Sequence, residues 1–171
     1  IFLPTLNNHS GSVDTEDYAG PTSAVKCHLG IVAFDGDAGS HLHNAGYNSD
    51  DPDAVGEAIG HLITSIITPT FYLTCAEYTG YISRTATTAA HTRTVGLCAD
   101  PVTLDYWMCK NVVYPIANQW FMDPENDCNL RKTLQGCNSL GVGTLNSSEM
   151  SVHILDEFDN KVYLPLVTRD G

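Results

Sequence analysis

Cysteine placement constrains this chain more than any other feature. Four of its six cysteines fall between Cys98 and Cys137 with the spacing C-x10-C-x18-C-x8-C, and Cys27 and Cys75 lie upstream. The count is even, and no spacing is the C-x2-C kind that marks zinc ribbons or thioredoxin-like redox sites. The six therefore read as a disulfide framework, Cys27, Cys75, Cys98, Cys109, Cys128 and Cys137, that pins a cluster of short helices. Spacing does not choose the pairing, although strand patterns below suggest Cys27 with Cys75. The competing reading is six free thiols buried as small hydrophobes.

Other features agree with an oxidising compartment. The sequence opens on Ile1, read as a mature end from which a signal peptide has been removed. Asn8-His9-Ser10 and Asn146-Ser147-Ser148 are glycosylation sequons, with Asn8 and Asn146 as the acceptors. No stretch approaches the roughly 18 apolar residues of a membrane span. A secreted, extracellular glycoprotein is the expectation.

The 171 residues fit one domain, 1–171, with 1–22 as a surface arm and 98–137 as the cysteine-rich helical segment. A net charge of −12 excludes nucleic acid and anionic membranes as partners, since both repel an acidic surface, and leaves cationic partners open. Asp14, Glu16 and Asp17 read as a solvated charge run within the arm.

Val25, Cys27, Leu29, Ile31 and Ala33 alternate with Lys26, His28 and Gly30, the period of a half-buried strand. A long Gly/Asn/Asp loop follows. It holds Asp35, Asp37, His41 and His43, and an H-x-H pair on extended backbone sends both imidazoles to one side, as ligands of zinc or copper would be. The bland alternative is a polar loop with no cofactor.

Asp51-Pro52 supplies a cap and a first-turn proline, and Ala54, Val55, Ala58, Ile59, Leu62, Ile63, Ile66 and Ile67 recur at helical spacing up to Thr68-Pro69. Gly56 and Gly60 on this helix are expected to let its backbone approach a sheet. Residues 70–88 read as two strands bent at Gly80, and Thr92 to Cys98 as another. Tyr72, Tyr78 and Tyr81 are either cross-strand packing or an aromatic face for carbohydrate or peptide. Asp100-Pro101 and Asp123-Pro124 repeat the cap-plus-proline start, predicting helices to about Val113, where Tyr114-Pro115 breaks the first, and to Gln135, where Gly136 stops the second. Residues 150–155 and 161–167 form a hairpin, with Pro165 placing the last strand at an edge.

The fold expected is α+β: a single disulfide-stabilised domain with a mainly antiparallel sheet, packed by one amphipathic helix and short disulfide-linked helices. No G-x-S-x-G, H-E-x-x-H, P-loop or G-x-G-x-x-G motif is present. Three functions follow from this. The leading one is an interaction protein, a toxin or effector-like domain acting on a protein or carbohydrate partner at another cell's surface. The second is a hydrolase using a carboxylate pair drawn from Glu57, Glu77, Asp105, Glu125 and Glu157, with Glu77 or Asp105 lining a cleft. The third is a metal-binding protein using His41 and His43.

Overall fold

The first helix forms where capping and periodicity place it. In the computed structural model, which describes residues 1–8, 14–17, 19–31, 51–83, 86–157 and 160–165 with side chains up to Ile154, α1 spans Pro52–Ser65. The Asp51 carboxylate accepts the Ala54 N–H at 3.1 Å, and Val55, Ile59 and Ile63 are buried on one face. Each such side chain contributes about 1.5–3 kcal/mol by leaving water.

Five strands make one sheet in the order β1-β2-β3-β5-β4, with β1 at Thr5–Asn7, β2 at Tyr72–Gly80, β3 at Ala90–Cys98, β4 at Val152–Glu157 and β5 at Asn160–Pro165. The pairs β2–β3 and β4–β5 are antiparallel, whereas β1 runs parallel to β2 and β3 parallel to β5. The sheet is thus mixed rather than mainly antiparallel. β4 takes the edge and β5 lies inside the sheet with Pro165 as its last residue, so the edge position expected from this proline is not the one found. The N-terminal arm is part of the sheet: Phe2 bridges Tyr72, and Leu6 is fully buried.

Along β2, Tyr72, Thr74 and Ala76 are buried while Cys75 and Glu77 are exposed, so one face of the sheet carries the helices. Helix α2, Pro101–Met108, lays Leu104 and Met108 against Gly96 of β3. Its axis does not end at Tyr114-Pro115. A π turn over Cys109–Val113 absorbs the register change that a proline without N–H imposes, and α3, Tyr114–Ala117, follows before Asn118 closes it at φ +52°. Helix α4 spans Asn129–Ser139 and not 124–135. Gly136 lies inside it as a packing residue, against the Asp53 carbonyl and Glu57 N–H of α1. Gly56 likewise approaches Thr133 and Cys137 of α4, so the close approach is to a helix and not to a sheet.

The α+β class stands, and the disulfide framework does not. None of Cys27, Cys75, Cys98, Cys109, Cys128 and Cys137 forms a disulfide; the last four are buried, Cys27 is half-buried and Cys75 is exposed. They act as small apolar side chains, with burial pushing the thiols of Cys128 and Cys137 up to about 11 and about 12. Cys27, predicted on a strand beside Cys75, instead lies in a 3₁₀ turn, Lys26–Ile31. The alternation there fails because the groups it assigns to solvent are buried: Lys26 donates to Asp17 at 2.5 Å and to the Gly20 carbonyl at 2.7 Å, and His28 is fully enclosed. Asp17 therefore does not belong to a solvated charge run, and Glu16 caps α4 at the Asn129 N–H.

A thiol titration checks this assignment. Without reductant the native protein is expected to expose one fast-reacting thiol, Cys75, because Cys27, whose thiol burial raises to about 12, reacts slowly. Unfolding should then release all six. Among the described residues, no helix is long and apolar enough to cross a membrane.

Candidate functional site

A cleft of about 480 Å³ opens where three chain reversals meet. One wall is the end of α1, Ile63 and Thr64, with Thr68 and Pro69 beyond it; the second is the β3–α2 turn, Ala99, Asp100 and Pro101; the third is Gly141-Val142-Gly143 after α4, with Tyr72 at its base. Local chemistry fixes each wall. The Asp100 carboxylate caps α2 through the Thr103 N–H at 3.0 Å, with Pro101 at the first helical position. The Asn138 side chain donates to the carbonyls of Val142 and Gly143 at 3.2 and 2.6 Å, pinning the third wall. Gly143 has φ +71° and sits so close to Asp100 that a Cβ would fall on the carboxylate oxygens, so glycine is required there on both counts.

The cleft is apolar apart from a few hydroxyls and Asp100, the one carboxylate that the described residues place on its walls. Thr64 spends its hydroxyl on the Gly60 carbonyl at 2.9 Å. The Tyr72 hydroxyl lies 3.1 Å from His28 Nε2, and His28 Nδ1 lies 3.0 Å from the Val25 carbonyl. A carbonyl can only accept, so Nδ1 carries the proton and Nε2 accepts from Tyr72. Burial pushes the His28 imidazole down and the Tyr72 phenol up, holding both neutral, and Phe2 stacks on His28 at 4.7 Å. The base of the cleft is therefore rigid and uncharged.

Beneath the site lies a buried polar centre. Asp105 is fully buried; its Oδ1 accepts the Ser23 hydroxyl and the Ala24 N–H at 2.7 and 2.9 Å, and its Oδ2 accepts the N–H groups of Ser23 and Val25 at 3.0 and 2.8 Å. Burial pushes this carboxyl above the usual carboxylate range, and the four donors pull against that. Asp105 thus holds the entry to the Lys26–Ile31 turn and is withdrawn from solvent.

No family model matches this chain, and no curated protein or solved structure does either. Its function is read from the geometry.

The proposed hydrolytic carboxylates do not converge. Asp105 is sealed in the core, Glu77 sits on the outer sheet face beside His91 at 2.6 Å, Glu125 pairs with Lys110 at 2.9 Å, Glu57 is exposed on α1, and the side chain of Glu157 lies outside the described residues. None of them lines the cleft. Asp35, Asp37, His41 and His43 also lie outside the described residues. Among the described residues no three His, Cys, Asp or Glu side chains gather as metal ligands. Asn8 is 2% exposed and its amide nitrogen donates to the carbonyls of Tyr81 and Ile82 at 3.4 and 3.1 Å, so of the two sequon asparagines it is Asn146, an exposed residue whose amide nitrogen donates to Glu149 at 2.9 Å, that lies at the surface.

Sequence reasoning missed the cleft. Asp100 was legible as a helix cap but not as part of a cleft wall. The readable signal was the pair of glycines two apart just past a helix end, with Asn138 one turn before them.

Proposed function

We propose that the chain is an interaction protein that takes an apolar group with a flanking positive charge into the cleft at Asp100. The observation that carries this reading is an apolar cavity of about 480 Å³ with a single carboxylate on its wall. That volume lies within the roughly 300–1,000 Å³ typical of ligand pockets, which are likewise apolar with a few placed polar groups. The net charge of −12 steers a cationic partner toward it and repels acidic ones. Among the described residues no serine, cysteine or histidine lines the cleft, and of a hydrolytic carboxylate pair only one member lines it. Export, with action on another cell as a toxin or effector, belongs to the same proposal. The Asn146 sequon supports it, and the absence of disulfides among the six cysteines withdraws the support that pairing would have given.

A labelled peptide of alternating leucine and arginine should bind and weaken as salt is added, and its leucine–glutamate counterpart should not bind. Equal binding of the two peptides, or of neither, would remove the reading.

A further inference from the structure

At the Gly80 end of β2, opposite the Tyr72 end that meets the cleft, a second pocket of about 380 Å³ has a different chemistry. It is lined by Asn7, Asn8, Tyr78, Gly80, Ser83 and Thr88, and among the described residues no charged side chain reaches its wall. Its amides are fixed in place. Asn7 accepts the Gly80 N–H at 3.1 Å and donates to the Thr5 hydroxyl at 3.2 Å, while the Asn8 N–H donates to the Gly80 carbonyl at 2.7 Å. An amide has two donors and two lone pairs, so Asn7 retains one of each beyond these bonds.

Tyr78 stands at the rim because the strand register breaks there. Ala76 pairs with Thr94 and Tyr78 with His91, so Thr92 and Arg93 together oppose Glu77, and Arg93 takes φ +48°, an uncommon conformation for a residue with a side chain. The bulge turns Tyr78 out of the alternation, leaving it 62% exposed. It is not loose. Its ring stacks flat on His91, with centroids 4.5 Å apart and planes 10° from parallel, and His91 is held by Glu77 at 2.6 Å. A rigid aromatic ring, open to solvent beside an uncharged array of amides and hydroxyls, matches one ligand chemistry well. A pyranose ring offers an apolar C–H face to stack and a rim of hydroxyls to hydrogen-bond.

We infer that this pocket binds a neutral pyranoside, with Tyr78 as the stacking platform and Asn7 and Thr88 as hydrogen-bonding partners. The site lies apart from the Asp100 cleft, shares no lining residue with it, and stands or falls separately.

The test is an NMR titration of the whole chain with the methyl glycosides of glucose, mannose and galactose, and with chitobiose, at millimolar concentration. At least one probe should give saturable shifts at the Gly80 amide, the Asn7 side-chain amide and the Tyr78 ring. Tyr78→Ala should weaken that binding by about tenfold, equivalent to about 1.4 kcal/mol. Tyr78→Phe should retain it to within about threefold, and Asp100→Asn should leave it unchanged. The absence of saturable shifts with every probe, or shifts that survive Tyr78→Ala at full affinity, would overturn the proposal. Tyr78 is exposed, and unchanged core resonances in the alanine variant separate lost binding from lost folding.

Discussion

Asp105→Ala is expected to destabilise the protein by roughly 4 kcal/mol, read as a lower denaturant midpoint at unchanged slope and a melting temperature lower by on the order of 10 °C. The reason is the geometry of its four donors. Removing the carboxylate leaves the N–H groups of Ser23, Ala24 and Val25 and the Ser23 hydroxyl turned toward an empty interior, and each orphaned buried donor costs about 1–3 kcal/mol before relaxation. The Lys26–Ile31 turn that follows carries His28, so Tyr72 should lose its hydrogen-bond partner as the turn loosens. Asp105→Asn should be nearly as damaging. All four contacts donate to the two carboxylate oxygens, and replacing either oxygen by NH₂ sets donor against donor. A change below about 1 kcal/mol for either variant would show that this centre does not hold the turn.

Gly56→Ala carries the second large effect, with a sign opposite to the ordinary one. In an exposed helix interior the substitution stabilises by about 1 kcal/mol, because alanine is the better helix former. Here the new methyl would land on the Thr133 carbonyl and at 2.9 Å from the Cys137 nitrogen, both backbone atoms of α4 that cannot rotate aside. The two helices must separate, and the expected cost is about 3 kcal/mol net. Gly136→Ala meets the same contact from the other helix, against the Asp53 carbonyl and, at 3.0 Å, the Glu57 nitrogen. The double variant should lose less than the sum of the singles, because one separation relieves both clashes. Urea unfolding of the three variants decides it: stabilisation by Gly56→Ala would mean that α1 and α4 are not in backbone contact.

The pattern of success in reading this sequence follows the range of the forces involved. Helix α1 was legible because cap, proline and apolar period are all local to 51–69, and strands β2, β3, β4 and β5 were legible for the same reason, but the second strand read after the Gly80 bend is absent from residues 81–83 and 86–88. The Lys26–Ile31 turn was not, since its conformation is set by Asp17 and by Asp105 from a distant helix, which reverse the expected burial of Lys26 and His28. Gly56 gave a correct sense of close approach, but the partner surface is a tertiary fact that a spacing cannot name, and Gly136, read as a helix stop, is a packing residue inside α4. The cysteine pattern misled because an even count is equally compatible with small apolar side chains that fill a core, as Cys98, Cys109, Cys128 and Cys137 do. The cleft was hidden for a further reason. Its walls come from three separate reversals, each of which reads in isolation as punctuation.

The Asp100 cleft is proposed as the binding site for an apolar group with a positive charge. Benzamidine, an apolar ring bearing an amidinium, is the smallest probe of that description, and its titration into the isotope-labelled protein reads the site residue by residue. The prediction is saturable shifts confined to the amides of Ala99, Asp100, Gly141 and Gly143, about tenfold weaker binding in Asp100→Asn, and weaker binding of uncharged benzyl alcohol. Asparagine caps a helix as well as aspartate, so that variant removes the charge without removing the fold. Shifts elsewhere on the protein, or benzamidine affinity indifferent to Asp100→Asn, would contradict the account.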